Sequence, residues 1–455
     1  VDPCTSIGME TFAFHLMPYQ DIDDITSTIK EAYFLAESGR PGPVLIDIPK
    51  DVQQEYTVPD FEEKVQRPGY SPNYEANPRQ IEQAARAIEN ARKPVIYCGG
   101  GIVAAEASEE LRELADTCNI PVTTTVMGLG VYPETNDQSL KMLGMHGTEY
   151  ANLAVSQCDL LIALGVRFDD RVTGDVDAFA KHADIIHVDI DPSEINKNKI
   201  VDIPIVSDVK DALEKMNESV DPEECEYENW HEQIQDWKEN RPLRYRQKDG
   251  EIKPQYVCER LSDLSPDDSI ITVGVGQHQM FAAQHYDFNE PRTWLSSSGL
   301  GAMGFGYPAA VGAKVAHPDR QVIDIDGDGS FMMNEHELAT VAQHDIGAKA
   351  IVLNNYHLGM VVQWEDRFYG GTRGDTYIGD PEIDFVKICE GHGVEAERVT
   401  QRENLDDALT RLLEYDGPYV LEVVVPHEEH VLPMIPSGGT IDDMITPDFD
   451  PDELD

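Results

Sequence analysis

Basic residues are scarce in this chain. Only 35 lysines and arginines stand against 85 aspartates and glutamates, a formal net charge of −50. Nucleic acid and anionic membranes both need basic surface, so neither is expected as a partner. Long apolar runs are missing too. Stretches such as Leu160-Leu161-Ile162-Ala163-Leu164 are far too short to cross a bilayer, and no secretory leader is visible. Cysteine spacing of the CxxC type is also absent. The seven cysteines are scattered and odd in number, which excludes a disulfide framework or a zinc site and points to reduced thiols in a cytoplasmic protein. Cys98 and Cys158 lie in or beside apolar stretches and read as core. Hydrophobic residues still make up 41% of the sequence, so the acid sits on a folded surface rather than in a disordered chain. Such a surface suits a halophilic cytosol, where concentrated ions screen self-repulsion.

The 455 residues are enough for two or three full-sized cores. Residues 1–54 end in a helix, a Gly/Pro turn and the strand Val44-Leu45-Ile46-Asp47-Ile48, and a polar linker follows. Residues 78–216 alternate strand and helix: helix Arg79–Ala91, strand Pro94–Cys98, the turn Gly99-Gly100-Gly101, helix Ala107–Cys118, then strands at Pro121–Val126, Leu160–Gly165 and Ile185–Ile190. Asn217–Gly250 reads as a loosely packed connector carrying Trp230 and Trp237. Residues 251–426 hold strands at Ser269–Val275, Gln321–Ile325, Ala350–Leu353 and Tyr419–Val425, and residues 427–455 form a tail whose acidic, proline-containing end is expected to be mobile. The alternation predicts an α/β fold of doubly wound parallel sheets.

Asp328 and Asn355 are the most informative pair. They sit in Gly327-Asp328-Gly329 and Asn354-Asn355, each directly after a buried-strand pattern, with Phe331–His344 helical in character between them. A carboxylate and a carboxamide thus reach the same sheet edge, where open α/β sheets bind ligands. Both suit Mg²⁺, which takes a few protein oxygens and fills its octahedron from water and phosphate. Asp324-x-Asp326-x-Asp328-Gly329 with Glu335 also spells a calcium loop, but a strand rather than a helix leads into it. Gly274-Val275-Gly276-Gln277-His278-Gln279 follows another strand. Its small residues let backbone N–H groups approach phosphate, and Gln277 and His278 are expected to donate as well. Ser296–Gly306 reads either as close helix packing or as a loop around a cofactor with Met303 as an apolar wedge. Met360 and Trp364 share one helical face, and Trp364 could cover a small apolar substrate. In the central region Gly99-Gly100-Gly101 is a weak dinucleotide pattern, and Asp189 ends a strand where a ribose hydroxyl would be held. Arg167 and Arg171 suggest anionic contacts, or pairing with Asp169 and Asp170 in their own loop.

GDG followed by NN resembles the thiamine diphosphate motif. Together with Gly39–Lys50, Gly165–Val172, Gln277–Met280, Asn354–Trp364 and His430–Gly439, the chain resembles the catalytic large subunit of acetolactate synthase, from about Ile22 to Ile445. That resemblance implies a family activity: decarboxylation of pyruvate and joining of the two-carbon unit to a second 2-oxo acid, pyruvate or 2-oxobutyrate, in branched-chain amino-acid biosynthesis. It implies three cofactors, thiamine diphosphate, Mg²⁺ and FAD. Asp328, Asn355 and the carbonyl of His357 would hold the metal. Gln277, His278, Met303, Gly329, Ser330, Asn355, Leu358 and Met360 would hold thiamine diphosphate, Met303 keeping it bent. Arg40, Gly99, Gly100, Gly101, Thr125, Val126, Met127, Leu143, His146, Gly165, Arg167, Arg171, Asp189, Ile190, Asp208 and Val209 would line FAD, which serves no redox step. Lys50 and Arg171 would face the substrate channel, and Trp364 would favour 2-oxobutyrate. A homodimer or homotetramer is implied, with a small regulatory subunit as a further partner. The family begins with a whole domain whose glutamate contacts the aminopyrimidine. Val1–Arg40 offers no acidic residue in that context and Val1–Gln20 does not match, so a truncated product, a wrong start or a frame error is expected. A non-catalytic cofactor-binding remnant is the reading of a different class; pyruvate oxidase and glyoxylate carboligase are lesser alternatives.

Overall fold

The computed structural model describes residues 15–18, 21–61, 65 and 69–447. The expectations for Val1–Gln20, apart from the strand His15–Pro18, and for the acidic end of the tail lie outside these residues.

Among the described residues two six-stranded sheets, all parallel, and one two-stranded pair form the scaffold. The pair joins β1 (His15–Pro18) to β2 (Val44–Asp47). The central sheet contains β3 (Pro94–Cys98), β4 (Val122–Thr124), β5 (Ser139–Met142), β6 (Leu160–Leu164), β7 (Asp184–Asp189) and β8 (Ile203–Val206), in the order β5-β4-β3-β6-β7-β8. The third sheet contains β9 (Ile270–Val273), β10 (Trp294–Ser296), β11 (Val322–Gly327), β12 (Lys349–Asn354), β13 (Glu395–Val399) and β14 (Tyr419–Val424), in the order β10-β9-β11-β12-β14-β13. This is the doubly wound α/β class that the alternating pattern predicts. Strands β3 and β6 are buried at every position, because helices cover both faces of a parallel sheet.

Strand order reverses between β3 and β6 in one sheet and between β9 and β11 in the other. At each reversal the connecting helices leave on opposite faces, opening a crevice beyond the carboxyl ends of the strands.

Local chemistry sets the helix ends. Asn77 accepts from Arg79 N and Pro78 opens the helix Pro78–Asn90, so one orphan N–H is capped and one is absent. Asp208 caps the helix Val209–Ser219 by accepting from Lys210 N.

Three expectations change. Gly99-Gly100-Gly101 is not merely a turn, since Gly100 already opens the helix Gly100–Ala105. The segment Phe331–His344 is not continuous helix: short helix Asp328–Phe331 and helix Glu337–His344 are separated, and Asn334 Nδ2 donates to Gly304 O (2.7 Å) in the gap. The connector does not pack loosely across domains. Its helix Glu228–Asn240 buries Trp230 and Trp237 in the central core, rings edge-to-face at 5.6 Å, with Trp230 Nε1 donating to Pro94 O (3.1 Å) and Tyr227 Oη to Ile88 O (2.7 Å). After β14 the tail also returns to the central region. Ile435 N donates to Met145 O (2.8 Å), Asp175 N donates to Gly439 O (3.0 Å), and Met434 pairs antiparallel with Ile445. Cys98 and Cys158 are fully buried, as their apolar settings predict.

Candidate functional site

The β9–β11 crevice is a cleft of about 650 Å³, counting its open mouth. Its walls come from the ends of three neighbouring strands: Val275–His278 after β9, Gly327–Ser330 at β11, and Asn355 with His357–Val361 after β12. Gln277, His278, Met303, Asp328, Gly329, Ser330, Asn355, His357, Leu358 and Met360 all line it. Trp364 does not line it and instead lies against Phe368, ring centroids 4.8 Å apart.

Asp328 is 5% exposed, and burial pushes its carboxyl up to about 7, against a hydrogen bond from Gly329 N (2.9 Å) that favours the charged form. A carboxylate in that position gains most from a cation. Asn355 Oδ1 accepts from His357 N (2.9 Å) at a turn where Tyr356 takes a left-handed φ of 58°. One carboxylate, one amide oxygen and one backbone carbonyl make a sparse oxygen set of the kind Mg²⁺ uses beside phosphate. Among the described residues no cluster of three or more His, Cys, Asp and Glu forms a metal cage, and the calcium-loop pattern is not a loop at all. Asp324 and Asp326 lie fully buried within β11. Burial first, and then the Asp326 charge, hold the Asp324 carboxyl well above its ordinary range, while Thr272 Oγ1 donates to its Oδ1 (3.0 Å).

One polar atom of the cleft has no protein partner. His278 Nε2 lies 3.2 Å from Asp326 Oδ1 but off the hydrogen-bond direction, leaving it unsatisfied, while Asp326 itself is fully buried behind the cleft against Asp324. Buried polar groups are normally satisfied, so His278 Nε2 is free to meet a polar ligand in the cleft. Glycines bring these groups close to the backbone. A Cβ on Gly274 would stand 2.0 Å from Asp326 Oδ1, and one on Gly327 would stand 2.7 Å from His278 Nδ1.

Gln277 departs from its expected role as a donor. Gln363 is fully buried; its Oε1 accepts from Val431 N (2.8 Å) while its Nε2 donates to Val431 O (3.2 Å), which fixes its amide orientation. Gln277 Nε2 donates to that same Oε1 (3.0 Å) and to Glu429 O (3.0 Å). Both its protons are spent, so Gln277 can offer the cleft only its carbonyl oxygen. Sequence reading missed Gln363, and it missed Phe281, Pro254, Leu353, Val425 and Pro426 as lining residues. Val425 and Pro426, just past the end of β14, were a legible sign; a glutamine within Val361-Val362-Gln363-Trp364 gave none.

In the central sheet the expected residues follow the carboxyl ends of its six strands. Gly99–Gly101 follow β3, Thr125–Met127 follow β4, Leu143 and His146 follow β5, Gly165 and Arg167 follow β6, Asp189 ends β7 with Ile190 after it, and Asp208 and Val209 follow β8. Gly101 N donates to Gly165 O (3.1 Å), and a Cβ on Gly101 would stand 2.5 Å from Gly165 Cα. The glycines here close backbone on backbone. Buried Thr124 Oγ1 and His146 Nδ1 lack protein partners at this rim, and burial lowers His146 to about 4. Asp189 accepts from Asp191 N (2.9 Å), and burial raises it to about 6. Arg40 Nη1 reaches Glu194 (2.7 Å) and Asp191 (3.5 Å), tying the first segment to the end of β7. Arg167 pairs with Asp169 at 3.4 Å, and Arg171 lines a separate cleft with Met145, Ile435 and Gly439. Lys50 is exposed and lines neither cleft.

Two family descriptions match this chain: the thiamine pyrophosphate enzyme central domain over residues 81–216, and the thiamine pyrophosphate enzyme C-terminal TPP binding domain over residues 274–423. The chain is similar to acetolactate synthase 1, chloroplastic, of Zea mays, 52% identical over 437 residues that cover 93% of this chain and 68% of the relative. Its similarity to acetolactate synthase 1, chloroplastic, of Oryza sativa subsp. japonica is 51% over 437 residues, covering 93% and 68%. Acetolactate synthase, chloroplastic, of Arabidopsis thaliana is 49% identical over 441 residues, covering 94% of this chain and 65% of that protein.

Proposed function

The chain belongs to the acetolactate synthase family of thiamine pyrophosphate enzymes, and from that premise we propose that it makes acetolactate, with the β9–β11 cleft as its catalytic centre. Pyruvate loses CO₂, and the remaining two-carbon unit joins a second 2-oxo acid, pyruvate or 2-oxobutyrate. This is the first common step toward valine, leucine and isoleucine. The observation that carries the reading is the meeting of ten expected residues in one cleft at a strand-order reversal.

Asp328, the Asn355 amide oxygen and the His357 carbonyl would hold Mg²⁺ against the diphosphate. Bound thiamine diphosphate supplies the electron sink for decarboxylation. Met303, Leu358, Met360, Phe281 and Val275 form an apolar wall that would keep water from the reacting carbons, and Met303 would keep the cofactor bent. Residues 251–426 form this cofactor domain, residues 78–216 an FAD domain used for structure rather than redox, residues 1–54 a part of a pyrimidine-side domain, and residues 427–455 a tail. FAD would lie along the rim from Gly99 to Val209, with Thr124 and His146 as unspent polar groups. Lys50 and Arg171 would meet substrate anions, and Trp364 would select 2-oxobutyrate. The protein works as a homodimer or homotetramer, with a small regulatory subunit as partner, in the cytoplasm of a salt-rich cell. Light scattering gives the assembly. A melting curve unchanged between dilute and molar KCl would remove the halophilic part.

The deciding experiment measures acetolactate from pyruvate by the purified chain in molar KCl with thiamine diphosphate, Mg²⁺ and FAD. Product that disappears in Asp328→Ala supports the reading. No product with both cofactors bound assigns the chain a cofactor-binding or assembly role instead.

A further inference from the structure

Glu422 is fully buried on β14, between its register partners Val352 on β12 and Arg398 on β13. Its Oε2 accepts from Arg398 Nε (2.8 Å) and its Oε1 from Asn354 Nδ2 (2.7 Å). Asn354, 1% exposed, turns its Oδ1 to accept from Tyr356 N (3.0 Å). The Tyr356 phenol donates to Glu382 Oε1 (3.2 Å), which also accepts from Arg398 Nη1 (3.2 Å). The five residues therefore close a ring, Asn354–Glu422–Arg398–Glu382–Tyr356, and two of them belong to the turn that carries Asn355 and His357 into the cleft.

A buried carboxylate and its cation partner are poor devices for stability alone, since an apolar pair of the same volume often serves as well or better. Here the pair has a directional effect. A carboxylate on one side and a backbone N–H on the other leave the Asn354 amide only one orientation. That orientation holds Tyr356 left-handed at φ 58°, a conformation that residues with a side chain rarely adopt. The flanking residues of that strained position are Asn355 and His357, and both line the cleft with Asp328.

We propose that Glu422 is a positioning residue for the divalent cation, acting through Asn354 and Tyr356 to aim the oxygens of Asn355 and His357. The inference rests on the cofactor reading given above. Replacing Glu422 by glutamine puts an NH₂ group against either Asn354 Nδ2 or Arg398 Nε: the first sets donor against donor and frees the Asn354 amide, and the second breaks the ring at Arg398 and removes the charge that holds Asn354. Arg398 is partly exposed and keeps Glu382, so the fold is retained.

The test is thiamine diphosphate binding by the full chain, followed by tryptophan fluorescence over a Mg²⁺ series, with bound FAD and melting temperature measured on the same samples. Glu422→Gln raises the Mg²⁺ concentration for half-binding roughly tenfold or more, the usual range for a group behind a metal ligand, and excess Mg²⁺ restores full binding. Tyr356→Phe opens the ring at Glu382 without burying a charge and gives a shift of about threefold. Mg²⁺ curves unchanged from the parent in both variants overturn the inference and leave the cofactor reading standing. A loss of binding that excess Mg²⁺ does not restore, together with loss of FAD, reduces Glu422 to a structural residue and also overturns it. A parent chain that binds no thiamine diphosphate at any Mg²⁺ concentration overturns both.

Discussion

The two strand-order reversals share a topology and use glycine in opposite ways. At β9–β11, glycines bring polar side chains against the backbone: Asp326 beside Gly274 and His278 beside Gly327. His278 Nε2 is left without a hydrogen-bond partner there. At β3–β6, glycines bring backbone against backbone, Gly101 on Gly165, and the hydrogen bond between them closes the crevice floor. One crevice keeps its polar capacity for a ligand. The other spends it on its own scaffold and leaves contact to the rim, from Thr124 to Asp208. On the proposed reading, catalytic positioning belongs to the first and structural cofactor binding to the second.

The largest expected effect separates the two. Asp328→Ala lowers acetolactate formation on the order of a thousandfold while FAD content and melting temperature stay at the parent values. Simultaneous loss of FAD would mean that the crevices are coupled and the contrast is false. Gly101→Ala reverses the pattern. Its Cβ would meet the Gly165 backbone at 2.5 Å, so the central unit loses about 3 kcal/mol and FAD with it. Gly299→Ala has nothing within 4 Å of the new methyl and stays within roughly 0.5 kcal/mol. Thermal unfolding of both variants checks this pair.

A smaller effect reads the seam between the units. Glu134 follows the central strand β4, is 6% exposed, and accepts from Phe288 N (3.0 Å) of the other unit, with burial raising its carboxyl to about 7. A carboxyl raised above its unfolded value of 4.5 penalises the folded state when ionised. The penalty is absent below that value, grows between it and about 7, and is complete above. Glu134→Gln keeps the acceptor and removes the charge. It should match the parent at low pH and exceed it by about 1–3 kcal/mol at pH 8, read from melting temperatures across the pH series. Equal pH profiles would show that Lys141, near Glu134 and paired with Asp287 at 2.6 Å, already neutralises the site.

Apart from the half-buried β2, the strands legible in the sequence were those buried on both faces. Pro94–Cys98 is the clearest, because Val95-Ile96-Tyr97-Cys98 is an unbroken apolar run ended by glycine. Strands at edges escaped: β13 reads Glu-Ala-Glu-Arg-Val, β8 contains Pro204, and β10 has three residues. An edge strand has one unpaired side, so charge and proline are tolerated there and the hydrophobic pattern disappears. The cleft was legible where a polar residue directly followed a buried strand, as Asp328 and Asn355 do. What acts through a second residue was not. Gln363 and Glu422 are polar side chains in apolar company, and only the fold reveals the partners that make them tolerable there.

The return of the tail has a consequence for how the chain is made. Met145 waits for Ile435, and Asp175 for Gly439. The central unit is made before residues 251–426, but these two backbone groups find their partners only after that later unit has left the ribosome. Until then the surface around Arg171 stays open, and its closure reports that the unit downstream has folded.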